Sequence, residues 1–466
     1  RAASSPAFGK LSILLSDAAT PGEGEHKIAS IIREQRNQPG YDPDTTHLLY
    51  GLDADLVMIG LATHERRFYI LRDWVPLGRQ KFAEVCDLCG REGHTASSCT
   101  LLQAARAAQT DSQRAAALAS HAVDKPLLLL ALPTLREYLL HSLRPDAMAA
   151  ATTTDGEIGN GSGDAAASAS GGGEADGWWD SERIIDDFIC LTFLVGNDFI
   201  PSLPTLPIPA GGLNIALDAY RSCRRRLGGY LMRGGHVQIA TLSAYLTVLA
   251  KEEESALLGK IHAAQSKHFK RKKRGHGPQT SSSSTVGVTN AVQGSGSAAA
   301  AAADGVADDG GDVLTSAVVE AASNEADLLQ IEDAATIADT PASYRTIENK
   351  LRFKGALEKQ GSDNLISDLC EHYLRAVCWC ARYYFQGCAD WLFYLPYHYA
   401  PFAHELSHHV HSSWEYPPWG TAQPLTPLMQ LCCVLPPLSA HLLPEAYREL
   451  LTDEASIVKH MYPEKV

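Results

Sequence analysis

Short apolar runs alternate with helical repeats over the first 145 residues. "LSILLSD" (11–17) is a bounded apolar run and predicts a buried strand. "HKIASIIREQR" (26–36) places Ile28, Ile31 and Ile32 at helical spacing and predicts a helix with that face inward. "THLLYGL" (46–52) predicts a strand, "DLVMIGLATHE" (55–65) a helix and "RRFYILRD" (66–73) a third strand. Strand–helix alternation at this spacing predicts a parallel α/β sheet. "KPLLLLALPTLREYLLHSL" (125–143) resumes it, with Pro133 and Thr134 near a helix start.

The pattern then lapses. Residues 146–177 are rich in Ala, Gly, Ser and Thr and are expected to be disordered. Order is expected again in "SERIIDDFICLTFLVGNDFIPSLPTLPI" (181–208), a helix followed by a proline-studded loop, and in the helical "GLNIALDAYRSCRRRLGGYL" (212–231). The organisation predicted is a core over 1–145, an insert over 146–177, a continuation of the core over 178–265, a basic then acidic disordered linker over 266–340, and a helical, aromatic region over 341–466. No internal repeat is evident.

Composition changes this picture in three places. The 466 residues are 45% hydrophobic and 20% charged, ordinary for a globular protein, and no apolar run is long enough to span a bilayer. The net charge of −14 argues against a nucleic-acid partner until its location is read. Residues 151–178 hold five acids and 304–340 hold ten, with no Lys or Arg in either; without these fifteen, 39 acids face 40 bases. Eleven cysteines, several in apolar stretches (Cys378, Cys380, Cys432, Cys433), read as buried thiols of a reduced compartment. The chain opens without Met and enters an apolar run at once, which reads as a fragment or an incomplete gene model.

Two kinds of chemistry stand out. "CDLCGREGHTASSC" sets Cys86, Cys89, His94 and Cys99 at C-x2-C-x4-H-x4-C, with Gly90 and Gly93 for tight turns. Four thiolate or imidazole ligands at such spacing suit tetrahedral Zn²⁺, and this zinc-knuckle pattern commonly serves single-stranded nucleic acid. Five acids flank apolar elements: Glu23 and Glu25 in "PGEGEHKI", Asp53 and Asp55 in "GLDADLVMIG", Asp198 in "LVGNDFIPSLP". Hard divalent ions take such oxygen ligands, and two-metal nucleases need a carboxylate cluster. The plain alternatives are surface turns for the glutamates and helix caps for Asp53 and Asp55. Asp198, closing an apolar run, calls for a metal or an arginine as partner. A basic run, "KHFKRKKRG" (267–275), reads as a nuclear import signal on a flexible loop, or as a solvated charge run.

"LSDAATPGEGEHKIASIIREQRNQPGYDPDTTHLLYGLDADLVMIGLATHE" closely resembles the XRN-type 5′→3′ exoribonucleases, and the knuckle after it is similar to that of their nuclear branch. "ERIIDDFICLTFLVGNDFIPSLPTLPI", "ARYYFQGCADWLFYLPYHYAPF" and "LPEAYRELLTDEASIVKHMYPE" resemble later family segments in order. The resemblance implies a flap-endonuclease-like α/β nuclease core with an inserted zinc knuckle and a mostly helical C-terminal region. It implies Mg²⁺- or Mn²⁺-dependent, processive hydrolysis of single-stranded RNA bearing a 5′-monophosphate, with Glu23, Glu25, Asp53, Asp55 and Asp198 as metal-binding acids. It further implies nuclear localisation, a protein activator and an aromatic RNA contact, for which "DWLF" offers Trp391 and Phe393. The family carries further acids and a 5′-phosphate pocket in a segment before "PGEGEHK" that is not found in this sequence, so the chain alone is expected to be inactive. A non-catalytic zinc-knuckle RNA-binding scaffold is the competing reading. A structure-specific DNA endonuclease would share the metal chemistry but leaves the knuckle and "PYHYAPF" without a role.

Overall fold

The structure, a computed structural model, describes residues 11–73, 99, 127–144, 179–274, 334–353, 361–411, 413–415 and 418–462. The first unit alternates as the apolar pattern predicts: α1 (Gly24–Arg36), β1 (Thr46–Tyr50), α2 (Asp55–Ala62), β2 (Arg67–Asp73), then β3 (Leu127–Ala131) leading directly into α3 (Leu132–Leu143). β1 and β2 pair in parallel, Thr46 beside Arg67 and Tyr50 beside Leu71, with α2 as the crossover. β3 runs antiparallel on the other edge of β2, Tyr69 beside Ala131 and Asp73 beside Leu127. The three-stranded sheet is therefore mixed, not parallel throughout.

"LSILLSD" forms no strand. Leu11, Ile13, Leu14 and Leu15 are 60–84% exposed, for among the described residues no neighbouring strand accepts their backbone. In α1 the buried positions are His26, Ala29 and Ile32, whereas Ile28 faces solvent. The inward face is thus rotated from the one the isoleucines predict, because α1 packs against α2 and the long helix α8 described below.

A helical body follows. α4 (Ser181–Val195) is capped by Asp180, whose Oδ1 accepts from the Glu182 and Arg183 amides. It is apolar almost all round, from Ile184 to Val195, as a helix surrounded by others must be. Its one deeply buried carboxylate, Asp187, accepts from the Tyr220 hydroxyl (2.5 Å) and the Met232 amide (3.0 Å), so the site is satisfied. α5 (Gly212–Cys223) and the short pair β4 (Met232–Arg233) and β5 (His236–Val237) lead to α6 (Ile239–Arg274). α6 runs through residue 266, where the linker was expected to begin, and carries the first eight residues of the basic run as helix rather than loop. Residues 334–337 are helical as well, and Ala334, Ala335 and Ala338 are buried against α6.

α7 (Pro341–Arg352) begins in a capping box of Thr340 and Ser343. α8 (Ser362–Gln386) and α9 (Ala403–His409) close the main core. Glu253 of α6 accepts from the Ala403 and His404 amides, so a carboxylate from one helix caps another. α10 (Pro427–Val434) and α11 (Glu445–Thr452) gather a separate small core around Ala440, Leu443 and Leu451. Cys378 and Cys380 are buried as expected, but Cys433 is exposed and Cys432 half-buried. Among the described residues no helix is long and apolar enough to cross a membrane.

Candidate active site

Three separate turns carry the five acids. Gly22 adopts φ +99°, a conformation that favours glycine, and turns the chain into α1. Glu23 is the N-cap of that helix and Glu25 lies in its first turn. Lys27 pins the approach by donating to the Asp17 and Thr20 carbonyls, 3.1 Å each. Asp53 leaves β1 and accepts from the Asp55 amide at 3.1 Å, while Asp55 opens α2. The pair does mark the start of α2, but neither aspartate is its cap: the N-cap is Ala54, without a side-chain cap bond. Both helix N-termini present partial positive charge to these carboxylates.

Asp198 follows α4 through a tightly specified loop. Gly196 sits at φ +103°, where an added Cβ would meet the Ser202 amide nitrogen at 2.8 Å. Asn197 Oδ1 then accepts from the Phe199 and Ile200 amides (2.9 and 3.0 Å), and Tyr373 of α8 donates to the Pro201 carbonyl (3.1 Å). Asp198 itself is exposed. Among the described residues no arginine pairs with it; it lies close enough to Glu23 and Asp55 to act on their charge.

The five acids share one electrostatic neighbourhood. Partial burial, then Glu25, Asp198 and Asp55, push Glu23 up to about 7. Burial pushes Asp55 up to about 6, with Asp53, Asp198 and Glu25 adding to the rise and a bond from Tyr384 opposing it. Among the described residues no three His, Cys, Asp or Glu side chains stand ready around one ion. The acids form a set of near neighbours rather than a closed ligand cage. The donor chemistry nonetheless fits a hard divalent cation: oxygen ligands only, crowded enough to resist ionisation.

α8 supplies the wall behind them. The Tyr384 hydroxyl donates to Asp55 Oδ2 at 2.9 Å, and the Tyr383 hydroxyl to Glu23 Oε2 at 3.5 Å. His26 stacks on Tyr383, ring centroids 3.7 Å apart, and meets Tyr384 edge-on at 5.1 Å. Burial and the nearby Arg33 push His26 down to about 4, so its imidazole is neutral at pH 7. Sequence reasoning missed these three residues. Their signal was the adjacency of His26 to Glu25 and the double tyrosine in "ARYYFQG".

The two candidate aromatic contacts differ. Trp391 is 38% exposed, and its ring edge lies beside Gly22, 3.6 Å from where a Cβ would stand. Phe393 is enclosed between Trp379 (5.9 Å) and Trp419 (5.8 Å), with the Arg375 guanidinium 5.5 Å from its ring. Asp390 holds this turn, accepting from the Leu392 and Gly420 amides. Of the candidate zinc ligands, Cys86, Cys89 and His94 lie outside the described residues, and Cys99 is buried.

A second ionic group lies at the far end of α2. His64, at φ +56°, contacts Glu182 through Nδ1 (2.5 Å) and Asp186 through Nε2 (2.8 Å), and Arg136 pairs with Glu182. Burial alone would lower His64, but the hydrogen bonds it donates to Asp186 and Glu182, with their negative charge, outweigh it and push it up to about 9. The same His64 bond, with Arg136, pulls Glu182 down to about 2.

Residues 1–74 match the family described as XRN 5'-3' exonuclease N-terminus, and residues 178–466 match the Xrn1 helical domain. Four of the acids fall in the first match; Asp198 and the tyrosines fall in the second. Curated relatives include proteins named 5'-3' exoribonuclease 2 from Gallus gallus (30% identical, covering 99% of this chain and 47% of the relative) and Arabidopsis thaliana (30%, 99% and 46%). A third, from Chaetomium globosum, is 29% identical over 98% of this chain and 48% of its own length. The chain thus spans about half the length of the curated relatives it matches. With two family matches in order and an acidic site built jointly from both, the chain belongs to the XRN 5'-3' exonuclease family.

Proposed function

We propose that this chain carries the nuclease centre of a 5′→3′ exoribonuclease acting on single-stranded RNA with a 5′-monophosphate. The observation that carries this reading is the gathering of Glu23, Glu25, Asp53, Asp55 and Asp198 from three distant segments into one mutually repelling group. The relatives' shared name, 5'-3' exoribonuclease 2, supports the direction and RNA as the polymer cleaved; the single strand and the 5′-monophosphate are part of the proposal.

In this reading the five carboxylates hold Mg²⁺ or Mn²⁺. Such ions, when bound, activate water and neutralise charge on the scissile phosphate. The helix N-termini behind Glu23 and Asp55 keep those carboxylates facing one side, and the tyrosine hydroxyls fix their orientation. Trp391, exposed beside Gly22, offers the face on which a base stacks. Phe393, already enclosed by tryptophans, supports the turn. Cys86, Cys89, His94 and Cys99 are proposed to bind one Zn²⁺. Localisation in the nucleus, with the basic run 267–275 as import signal, and a protein activator follow the relatives' branch.

The test is decay of internally labelled RNA bearing a 5′-monophosphate or a 5′-hydroxyl, with Mg²⁺ or EDTA. Mg²⁺-dependent, monophosphate-selective release of mononucleotides is the expected result for a longer form that also carries the family's segment before "PGEGEHK"; it is lost in Asp55→Asn of that form, and the chain alone gives no decay. RNA binding without decay by the longer form under every metal condition would favour the non-catalytic scaffold.

A further inference from the structure

Asp55 and Glu23 are each met by a tyrosine from one step of α8, more than 300 residues away in the chain. Tyr384 is 1% exposed, and its hydroxyl donates to Asp55 Oδ2 at 2.9 Å. Its ring is held edge-on by Phe193 at 5.1 Å and by His26 at 5.1 Å. Its backbone carbonyl accepts from Arg33 Nη1 of α1 at 3.2 Å. The hydroxyl is thus located from both ends and has no slack. Tyr383 repeats the arrangement more loosely, with its hydroxyl 3.5 Å from Glu23 Oε2 and its ring under His26. A carboxylate among four others would swing outward; a donor from a buried ring opposes that.

We infer that Tyr384 is a positioning residue for the Asp55 carboxylate, holding one oxygen so that the other faces the metal, and that Tyr383 does the same for Glu23. The inference rests on the metal-binding reading of the five acids. Carboxylates that ligate metals are generally oriented by such outer hydrogen bonds, and losing one costs about 10- to 100-fold in metal affinity. It also makes the helical region a working part of the site rather than a support for it.

The experiment measures Mn²⁺ affinity of the full chain by electron paramagnetic resonance of the free ion, with the metal-free thermal midpoint as a check of folding. Tyr384→Phe keeps the ring and removes only the hydroxyl. Tyr397→Phe is the control: it deletes the Tyr397–Asp368 bond on the distant end of α8. Tyr384→Phe is expected to weaken Mn²⁺ binding about tenfold or more, while Tyr397→Phe leaves it unchanged. Wild-type affinity in a folded Tyr384→Phe, or equal weakening in Tyr397→Phe, overturns the positioning role while leaving the metal site standing. Wild-type affinity in Asp55→Asn overturns the metal-binding reading itself and the inference with it. Should Tyr384→Phe fail to fold, Tyr383→Phe makes the same comparison through Glu23.

Discussion

His26 and Tyr383 stack face to face, ring centroids 3.7 Å apart and planes within 16°. The contact joins the first turn of α1 to the last turns of α8 and buries an imidazole that burial and Arg33 keep neutral. Its folded value of about 4 lies below the ordinary 6.5. The stability this contributes is therefore present above pH 6.5 and lost as pH falls toward 4. Thermal midpoints of His26→Phe, which keeps the stack and cannot protonate, should fall less than wild type over that interval.

The acidic group predicts the opposite slope. Glu23 and Asp55 have folded values of about 7 and 6, above their ordinary range, chiefly through burial. Their contribution is fully present below pH 4 and lost as pH rises through 7. At pH 8 without metal, Asp55→Asn should therefore melt a few degrees higher than wild type. Mg²⁺ should raise the wild-type midpoint and move Asp55→Asn less. In the longer form carrying the family's segment before "PGEGEHK", the same substitution should abolish RNA decay.

Gly196 predicts a backbone effect at a distance. Its φ of +103° and the 2.8 Å approach of a Cβ to the Ser202 amide make alanine strained there. Gly196→Ala should cost about 1–3 kcal/mol in denaturant unfolding. In the longer form it should also reduce decay beyond what that loss explains, because Asp198 follows two residues later.

The ionic group around His64 predicts an alkaline limb. His64, raised to about 9, stabilises fully below pH 6.5, and that contribution is lost as pH rises through 9. Glu182, lowered to about 2, stabilises above pH 4.5 and loses its share only as pH falls through 2. His64→Gln should remove the decline of the thermal midpoint between pH 7 and 9.

Zinc gives a metal prediction independent of the acids. Elemental analysis should find about one equivalent per chain. A Cys86→Ser/Cys99→Ser variant should lose it; an unchanged zinc content would remove these residues from the assignment.

Sequence periodicity was sufficient for β1, α2, β2, β3, α3 and α4, because each is a short unit that keeps one spacing along its length, even though Leu48, Tyr50 and Leu127 to Leu129 stay exposed. The five acids were legible because each sits where an apolar element ends. The missed features are long-range. β3 runs against β2, and alternation of elements carries no sign of strand direction. Leu11 to Leu15 had a strand's composition, yet a strand requires a neighbour's backbone, which no local pattern encodes. The basic run was read as loop because six bases fall within eight residues beside a Ser-rich stretch, although Lys and Arg are good helix formers and α6 extends through it. Nothing local sets His26, Tyr383 and Tyr384 apart; their contacts with one another and with Glu23 and Asp55 join residues more than 300 positions apart.

The placement of both tyrosines in the closing turns of a 25-residue helix sets a limit on how this chain can change in length. An amino acid added or deleted between Ser362 and Tyr383 rotates everything after it by about 100°. Tyr384 would leave Asp55, and Tyr383 would leave the imidazole beneath it. Point changes on the outer face of that helix leave the hydroxyls in place. Descendants of this sequence should therefore vary there by substitution and scarcely at all by insertion or deletion, as if the helix were a ruler read from its far end.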